Sequence, residues 1–348
     1  MKVTSIYVYP IKALRPIRLD NARLTPQGVQ YDRRFMICRV DDTDPSKLTK
    51  VQIDEVYQCG LFKQEIVGDS IHVSYLTPED PVVAAHPMQN EVLTVPLSPD
   101  TSDLDTVDVD LHLSMVTAYR MGARYDDWFT ACFGFKAVLV YIGDGRRPVL
   151  GTYAPQTDGS PQQRGWLPSS ISGHVAGTSR PTKDKPWLAF SDLAPFLVAS
   201  EKSLANVKAR VPSSDVAITA FRPNIVVDGE ADFYEDYWVE LSANDQPFLT
   251  LTKMCNRCPS LNVDYDTGKI AEGERGTVLK KLMSDRRVDT GAKYSPVFGK
   301  YGFLNEGQEN MVLAVGDQIA VTKRAHERPI FDWPLRARGA QPQFYQAS

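Results

Sequence analysis

The first 118 residues carry a succession of short apolar segments, rich in β-branched and aromatic residues and each followed by a turn signal. Residues 3–9 (VTSIYVY) form the first of them, and Pro10 ends it. Gly68-Asp69 stands between two later segments in the manner of a hairpin turn. No segment of helical period and helix length interrupts the series, and short strands with regular turn signals are typical of all-β units. The pattern therefore predicts a small sandwich or barrel over residues 1–118.

Further strands of this unit are predicted at residues 17–24, 33–38, 56–66, 71–75, 91–95, 106–109 and 112–118. Beyond it, residues 123–133 (ARYDDWFTACF) place aromatic residues at three- and four-residue spacing, which predicts a helix ended by Gly134. Ser200 is the predicted N-cap of a helix that runs to Arg210. Residues 143–185 are dense in Gly, Pro, Ser, Thr and Gln, and we expect a long loop there, either mobile or a lid.

The last third of the chain adds predicted strands at residues 238–241 and 248–253 and a helix at 277–284. A last pair of short strands is predicted within 312–321, on either side of the Gly316-Asp317 turn. The polar tail from Ala325 is expected to lie on the surface. The fold class is therefore mainly β with some α (α+β). Since 348 residues exceed one typical core, about two domains are expected. We predict an N-terminal β-barrel-like domain at 1–118, a helix, strand and long loop at 119–186, a second domain core at 187–322, and a C-terminal tail at 323–348.

Composition excludes several classes of partner. A net charge of -4 gives no whole-molecule attraction for nucleic acid or an anionic membrane, so any anion site must be a local basic cluster. No run of about 18 apolar residues is present, so no membrane span is expected. The apolar stretch at the N-terminus is too short for the hydrophobic region of a signal peptide. Five cysteines, an odd number, suit a reducing compartment. We therefore expect a cytoplasmic location, with mitochondrial association left open.

Cys255 and Cys258 form the one paired-cysteine motif in the sequence, CNRC. A structural zinc site would need two further ligands at short spacing, and the five histidines are scattered, which disfavours zinc. A redox dithiol would precede a helix, whereas residues 259–264 resemble loop and strand. Two interpretations stay open: a pair of buried structural cysteines, or a soft thiolate ligand for a transition metal or its cofactor.

Lys12, Arg34 and Arg222 stand at strand ends; Arg222 directly precedes Pro223, and Lys12 follows Pro10 by two residues. Each alone is typical of a solvated surface charge. Together they have the character of a phosphate-binding rim, because arginine makes bidentate contacts and lysine supplies a point charge. Ser191 and Asp192 are more typical of turn and capping residues than of a binding site. The phosphate loop GxxxxGK[ST] and the hydrolase motif GxSxG are absent from the sequence.

Six segments occur in an order that resembles the MOSC proteins, a family that includes the amidoxime-reducing components and the bacterial YcbX proteins. They are VTSIYVYPIKALRP, YDRRFMICRV, FSDLAPFLVASEKSL, FRPNIVVDG, YEDYW and CNRCPSLNVDYDTG. The resemblance covers residues 1 to about 322, and its most specific part is the combination of FRPNIV, CxRC and VDxxTG. It implies an N-terminal MOSC β-barrel-type domain followed by a MOSC β-barrel domain at 187–322.

The resemblance also implies a molybdenum cofactor, a single molybdopterin with a terminal phosphate. It makes Cys258 the thiolate ligand of molybdenum and leaves Cys255 as a bystander. It assigns catalytic roles to Cys258 and Asp192. Contacts with the cofactor are implied for Lys12, Arg34, Ser191, Asp192, Arg222, Asn224 and Cys258.

Two departures from the family pattern bear on this assignment. Ala13 stands where a serine commonly follows the lysine, which removes or replaces one phosphate hydrogen bond. Residues 143–185 match poorly, and we expect them to shape the substrate entrance.

The resemblance implies a molybdenum-dependent reductase of N-oxygenated compounds such as amidoximes, hydroxylamines or N-hydroxylated bases. Electrons are expected from an external donor such as cytochrome b5 and its reductase, because no cysteine set for an iron–sulfur cluster follows the MOSC segment. The alternative is a carrier of the molybdenum cofactor or of sulfur, as in MOSC domains of cofactor sulfurases. That alternative favours an N-terminal pyridoxal-phosphate lyase half, for which we see no room in the sequence.

Overall fold

Strands dominate the structure, a computed structural model that describes residues 1–155 and 185–347. Within these residues there are 23 strands and three α-helices, which confirms the mainly β class. The helices are α1 (Ala123–Phe133), α2 (Glu201–Ala209) and α3 (Val278–Met283). The strands are β1 (Val3–Val8), β2 (Ile17–Leu19), β3 (Asn21–Thr25), β4 (Gly28–Val29), β5 (Phe35–Val40), β6 (Leu48–Lys50), β7 (Phe62–Val67), β8 (Ser70–Tyr75), β9 (Leu93–Pro96), β10 (Thr106–Leu111), β11 (Ser114–Arg120), β12 (Ala137–Tyr141), β13 (Arg147–Pro148), β14 (Trp187–Leu188), β15 (Phe196–Ser200), β16 (Ile225–Val227), β17 (Trp238–Ala243), β18 (Gln246–Asn256), β19 (Val263–Asp264), β20 (Lys269–Ile270), β21 (Val297–Leu304), β22 (Val312–Ala314) and β23 (Ile319–Arg324).

The largest sheet has eight strands in the order β2-β1-β16-β15-β21-β18-β17-β23. Its pairs are antiparallel except for β15 and β16, which run parallel. β1 enters this sheet from the start of the chain, with Ile6 opposite Ile225. Fully buried side chains such as Val8, Trp238 and Phe248 make up the apolar interior beneath the sheet. The loop that follows β1 is thereby carried next to strands of the C-terminal half, since β1 pairs with β16.

The N-terminal half forms a nearly closed barrel from the sheets β10-β11-β12-β5-β6 and β7-β8-β9. Helix α1 packs against its core, where the rings of Phe62 and Phe133 lie 4.6 Å apart. The predicted helix over 123–133 is confirmed, and Gly134 ends it with a left-handed φ of 75°. Ser200 is confirmed as the N-cap of α2, since its side chain accepts from the backbone N–H of Ser203. The domain limits at 118, 186 and 322 stay predictions.

Three predicted strands differ from the structure. Residues 56–66 begin as a 3-10 helix, Tyr57–Leu61, and only Phe62–Val67 is a strand. Residues 17–24 divide into β2 and β3, because β2 pairs with β1 while β3 pairs with β22. Residues 112 and 113 form a turn with φ of 63° and 65°, and β11 starts only at Ser114. In each case the tertiary partner, which the local pattern does not contain, sets where the strand begins or ends.

The expected long loop at 143–185 is partly ordered where it is described. β13 pairs with β14, and the Arg147 side chain is fully buried. Residues 156–184 lie outside the described part of the chain, and so does most of the expected lid. The expectation of a surface tail is wrong for Trp333, which is buried to 2% exposure. None of the helices in the described residues combines the length and apolar character that a membrane span requires.

Candidate functional site

A cavity of about 300 Å³ opens where the loop after β1, the loop before β15 and the end of β18 meet. This volume is at the lower end of small-molecule sites, roughly 300–1,000 Å³. Four cationic side chains line it, against two carboxylates. The cations are Lys12, Arg33, Arg222 and Arg257, and the carboxylates are Asp54 and Asp192. The cavity therefore suits a ligand with negative charge.

Backbone hydrogen bonds bring the first two cationic loops together. The N–H of Arg33 donates to the carbonyl oxygen of Tyr9 over 2.8 Å, and the N–H of Lys12 donates to that of Phe35 over 2.9 Å. The N–H of Phe190 donates to the carbonyl oxygen of Arg33 over 2.9 Å, which adds the loop that carries Ser191 and Asp192. Backbone hydrogen bonds thus hold together three segments that are distant in the sequence.

Lys12, Asp192 and His112 form a buried ionisable cluster. The Lys12 ammonium donates to Oδ1 of Asp192, and Nε2 of His112 lies 3.5 Å from the same oxygen. Burial lowers the pKa of Lys12 to about 8, although the Asp192 charge opposes this shift. Burial also lowers the pKa of His112, again against the effect of Asp192. Burial alone would raise the pKa of Asp192, but Lys12 and His112 outweigh it and hold that pKa well below its usual range.

Arg33 and Arg222 both lie over the ring of Tyr9, each with its guanidinium carbon 4.5 Å from the ring centroid. Arg33 is further held by a buried ion pair with Asp32. Arg222 donates to the carbonyl oxygen of Leu14 over 3.0 Å. Among the described residues, no carboxylate lies within ion-pair distance of Arg222. Its charge is therefore available to the cavity.

Three residues of the cavity wall adopt left-handed backbone conformations. Ala13, Arg33 and Arg222 have φ values of 73°, 48° and 56°, respectively. Such conformations cost energy in residues other than glycine and persist only where the surrounding structure enforces them. Backbone strain of this kind clusters at functional sites, and here three strained residues line one cavity.

The two cysteines of the CNRC motif have different surroundings. Cys255 is buried, lies 3.2 Å from the hydroxyl of Tyr301, and accepts a hydrogen bond from Nη1 of Arg257 over 2.9 Å. Cys258 is partly exposed to the cavity, and its described polar side-chain contact is Ser260 Oγ at 3.1 Å. Burial raises the pKa of the Cys258 thiol to about 11, and Asp54 adds to this effect. A bound cation would favour the thiolate form.

The loop that carries Ser191 and Asp192 rests on the buried guanidinium of Arg147. Its Nη1 donates to the carbonyl oxygens of Ala189 and Ser191, each over 2.7 Å. Its Nη2 donates to the carbonyl oxygen of Leu111 over 2.8 Å, at the end of β10. Arg147 thereby fixes the position of this loop relative to the turn that contains His112.

Several buried polar atoms of the cavity lining have no hydrogen-bond partner within the described residues. They are Ser191 Oγ, both amide atoms of Asn256, and Nε of Arg257. Buried polar groups are nearly always hydrogen-bonded, so these atoms are compatible with a polar ligand or water in the cavity.

The structure brings together six of the seven residues predicted to contact the cofactor. Lys12, Ser191, Asp192, Arg222, Asn224 and Cys258 all line the cavity. The amide of Asn224 is already engaged, however, because Oδ1 accepts from the N–H of Leu197 and Nδ2 donates to the carbonyl oxygen of Tyr7. The side chain of Asn224 therefore holds β1 and β15 together.

Arg34 is the predicted residue that does not line the cavity. Its guanidinium donates to the carbonyl oxygen of Gly143 and lies over the ring of Tyr141. Arg33 occupies the cavity wall instead. Arg33 lies in a turn with a left-handed φ of 48°, and its side chain faces the cavity, whereas the side chain of Arg34 points to Gly143.

Sequence reasoning did not single out His112 or Arg257 as site residues. Arg257 lies inside the CNRC motif, so its position between the cysteines was an available signal. His112 is joined to Asp192 only by folding, and no local pattern identifies it.

Comparison with known proteins identifies two domains in the chain. Residues 185–320 match the model of the MOSC domain, and residues 1–136 match that of the MOSC N-terminal beta barrel domain. Mitochondrial amidoxime-reducing component 1 from Mus musculus is 27% identical over 327 residues, which are 91% of this chain and 81% of that protein. The Homo sapiens protein of the same name is 38% identical over 150 residues, 42% of this chain and 41% of that protein.

A second group of relatives has another name. Molybdenum cofactor sulfurase from Oryza sativa subsp. japonica is 24% identical over 330 residues, which are 90% of this chain but only 35% of that protein. The matched region thus spans less than half of the human and rice relatives. The two domain matches nevertheless follow one another along most of the sequence, and the chain belongs to the MOSC family, with an N-terminal MOSC β-barrel domain.

Proposed function

We propose that the cavity holds a molybdenum cofactor and that the protein reduces small N-oxygenated compounds. One observation carries the proposal: a partly exposed thiol, Cys258, shares a single cavity with the cations Lys12, Arg33 and Arg222. A soft thiolate suits a molybdenum already bound by dithiolene sulfurs. Relatives named amidoxime-reducing component support the same class of reaction.

The residues present fit the cofactor in two respects. The anionic phosphate of molybdopterin needs cationic donors, and Arg222 offers a guanidinium whose charge no described carboxylate neutralises. The pterin rings carry several donors and acceptors, and the unpartnered atoms of Ser191 and Asn256 supply complementary groups. Cys258 would hold the metal, while Arg33 takes the place that the resemblance assigns to Arg34.

Reduction of an N–O bond to N–H consumes two electrons and two protons and releases water. When bound, the cofactor would supply the two-electron redox chemistry. The protein must supply protons and orientation. Oδ1 of Asp192 accepts from the Lys12 ammonium and lies near Nε2 of His112, so proton exchange can pass among these three groups beside the cavity.

Electrons would come from an external donor, and cytochrome b5 with its flavin reductase is the first donor to test. The predicted substrates are amidoximes, hydroxylamines and N-hydroxylated bases. Asp192 and Cys258 remain the proposed catalytic residues.

A second candidate function is supported by the match to molybdenum cofactor sulfurase over 90% of this chain. In that case the protein would carry the cofactor or a cysteine-bound sulfur without turnover of its own. The two functions differ in a steady-state experiment with benzamidoxime and a reduced artificial donor. Sustained formation of benzamidine supports the reductase, whereas stoichiometric molybdenum without turnover supports the carrier.

A further inference from the structure

The C-terminal segment of residues 325–347, here called the strap, lies beyond the region that matches the MOSC domain, which ends at residue 320. It nevertheless supplies Phe331 and Leu335 to the cavity lining. One part of the candidate site therefore comes from a segment that the family match does not include.

Polar contacts fasten the strap at several points. The Arg328 guanidinium donates to the buried carboxylate of Asp236 over 2.7 Å. The Lys253 ammonium donates to the carbonyl oxygen of Ile330 over 2.5 Å and lies 3.2 Å from Oδ1 of Asp332. The hydroxyl of Thr152 donates to Oδ2 of the same aspartate over 2.6 Å. Charge-assisted bonds on both sides of Phe331 thus hold this part of the strap in place.

Apolar packing completes the attachment. The indole of Trp333 stands edge-on to the ring of Tyr153 at 5.2 Å, and its Nε1 donates to the carbonyl oxygen of His112 over 2.7 Å. Tyr153 in turn lies 6.1 Å from Phe331 and 6.1 Å from Tyr301. The strap therefore packs onto Tyr153, which in turn lies beside Tyr301, the residue that contacts Cys255. Through Trp333 it also supports the turn that carries His112.

The cavity wall contributed by the strap is apolar. Phe331 and Leu335 line it together with Leu193 and Ala194 from the loop after Asp192. The cationic residues described above line the same cavity, so the site has both an apolar and a charged lining. A cofactor phosphate requires the cations, which leaves the apolar side chains for a ligand group without charge.

We propose that the strap forms an apolar substrate subsite, in which Phe331 and Leu335 select N-oxygenated compounds that carry an aromatic or aliphatic group. This inference rests on the proposed function and assigns its substrate class. Hydrophobic side chains in a pocket discriminate by their contact with the apolar part of a substrate. Contacts of this kind change relative rates by roughly 10- to 200-fold.

The test compares two substrates in the protein loaded with cofactor. Benzamidoxime has an aromatic ring, whereas hydroxylamine has no apolar group. In Phe331→Ala and Leu335→Ala we expect kcat/KM for benzamidoxime to fall about tenfold or more, and that for hydroxylamine to stay within about twofold. Molybdenum content should stay unchanged. Equal losses with both substrates would overturn the proposal.

Ile330→Ala is the matched control, because Ile330 belongs to the strap and is exposed, as Leu335 also is, but does not line the cavity. It should leave the ratio of the two substrates unchanged. Phe331→Leu keeps an apolar side chain and protects the test against a folding defect in the alanine variant. We expect an intermediate ratio, and a ratio as low as that of Phe331→Ala would count against apolar contact.

Calorimetric binding of benzamidoxime to the oxidised protein supplies a readout that does not depend on turnover. Phe331→Ala should weaken this binding about tenfold or more. Wild-type affinity in Phe331→Ala would overturn the strap proposal while leaving the reductase intact. Absence of turnover with both substrates at full molybdenum content would instead overturn the reductase, and the binding comparison would still decide the role of the strap.

Discussion

Nη1 of Arg257 donates a hydrogen bond to Sγ of Cys255 over 2.9 Å, so the first cysteine of the CNRC motif is engaged by a neighbour from the same motif. The hydroxyl of Tyr301 lies 3.2 Å from the same sulfur. Cys258 has no comparable cationic partner among the described residues and faces the cavity. We therefore propose separate roles for the two thiols: Cys255 would maintain the structure of the wall, and Cys258 would bind a ligand.

Cys255→Ala should keep most of the activity and the bound molybdenum. It leaves the buried Arg257 and Tyr301 groups without their shared partner, which costs roughly 1–3 kcal/mol in the free energy of unfolding. Cys255→Ser, which retains an acceptor, should recover part of that cost. Denaturant unfolding together with metal analysis checks both variants, and loss of molybdenum equal to that of Cys258→Ala would refute the separation of roles.

Arg222→Ala should reduce cofactor content more than it reduces stability. A hydrogen bond to a charged group contributes about 1.5–3 kcal/mol, or about 10- to 100-fold in affinity. Alanine experiences the same left-handed φ of 56° that arginine does, so backbone strain is comparable in both proteins. Fluorescence of the pterin released from purified protein measures occupancy. Unchanged occupancy would count against a role for Arg222 in binding.

The geometry predicts that Arg33, rather than Arg34, contacts the cofactor. Removal of Arg33 alone would leave the Asp32 carboxylate buried and unpaired, which is strongly destabilising. The double variant Asp32→Asn/Arg33→Gln avoids this and should lose most of its pterin. Arg34→Gln should retain it. The reverse result would support the assignment to Arg34 that the family resemblance implies.

Glu235 should make stability depend on pH. Burial raises its pKa from 4.5 to about 7, against the hydrogen bond from Ser203. The folded state then holds a proton that the unfolded state releases, so this contribution is complete below about pH 4.5 and is lost as pH rises through about 7. The free energy of unfolding of wild type, measured against Glu235→Gln, should fall by about 3 kcal/mol between pH 4 and 8. A difference that is independent of pH would contradict the buried, protonated state.

Local sequence signals predicted those elements whose ends are set by their own residues. The sequence predicts both ends of helix α1 correctly. The spacing of its aromatic residues defines the buried face of the helix, and Gly134 defines its C-terminal end. The N-cap of α2 followed from Ser200 in the same way. The local pattern predicts a strand where the structure has the 3-10 helix Tyr57–Leu61, because burial of Cys59 and Leu61 depends on tertiary packing that has no local signature.

The candidate site was predicted in part for a similar reason. Motif segments identified Lys12, Asp192, Arg222 and Cys258, all of which line the cavity. His112 reaches Asp192 only through the pairing of β10 with β11 and the support of Arg147. The sequence does not predict the contribution of the strap, because the tail is polar in composition. Trp333 is buried against Tyr153 and His112, which are distant in the sequence.

The central claim is that Cys258 binds molybdenum in a cavity that also binds the pterin. The most direct measurement is the molar ratio of molybdenum and of released pterin to protein, in wild type and in Cys258→Ala, expressed in a host that makes the cofactor. We predict near-stoichiometric amounts of both in wild type and a loss of most of the molybdenum in Cys258→Ala. Equal molybdenum content in the two proteins, or none in either, would contradict the claim.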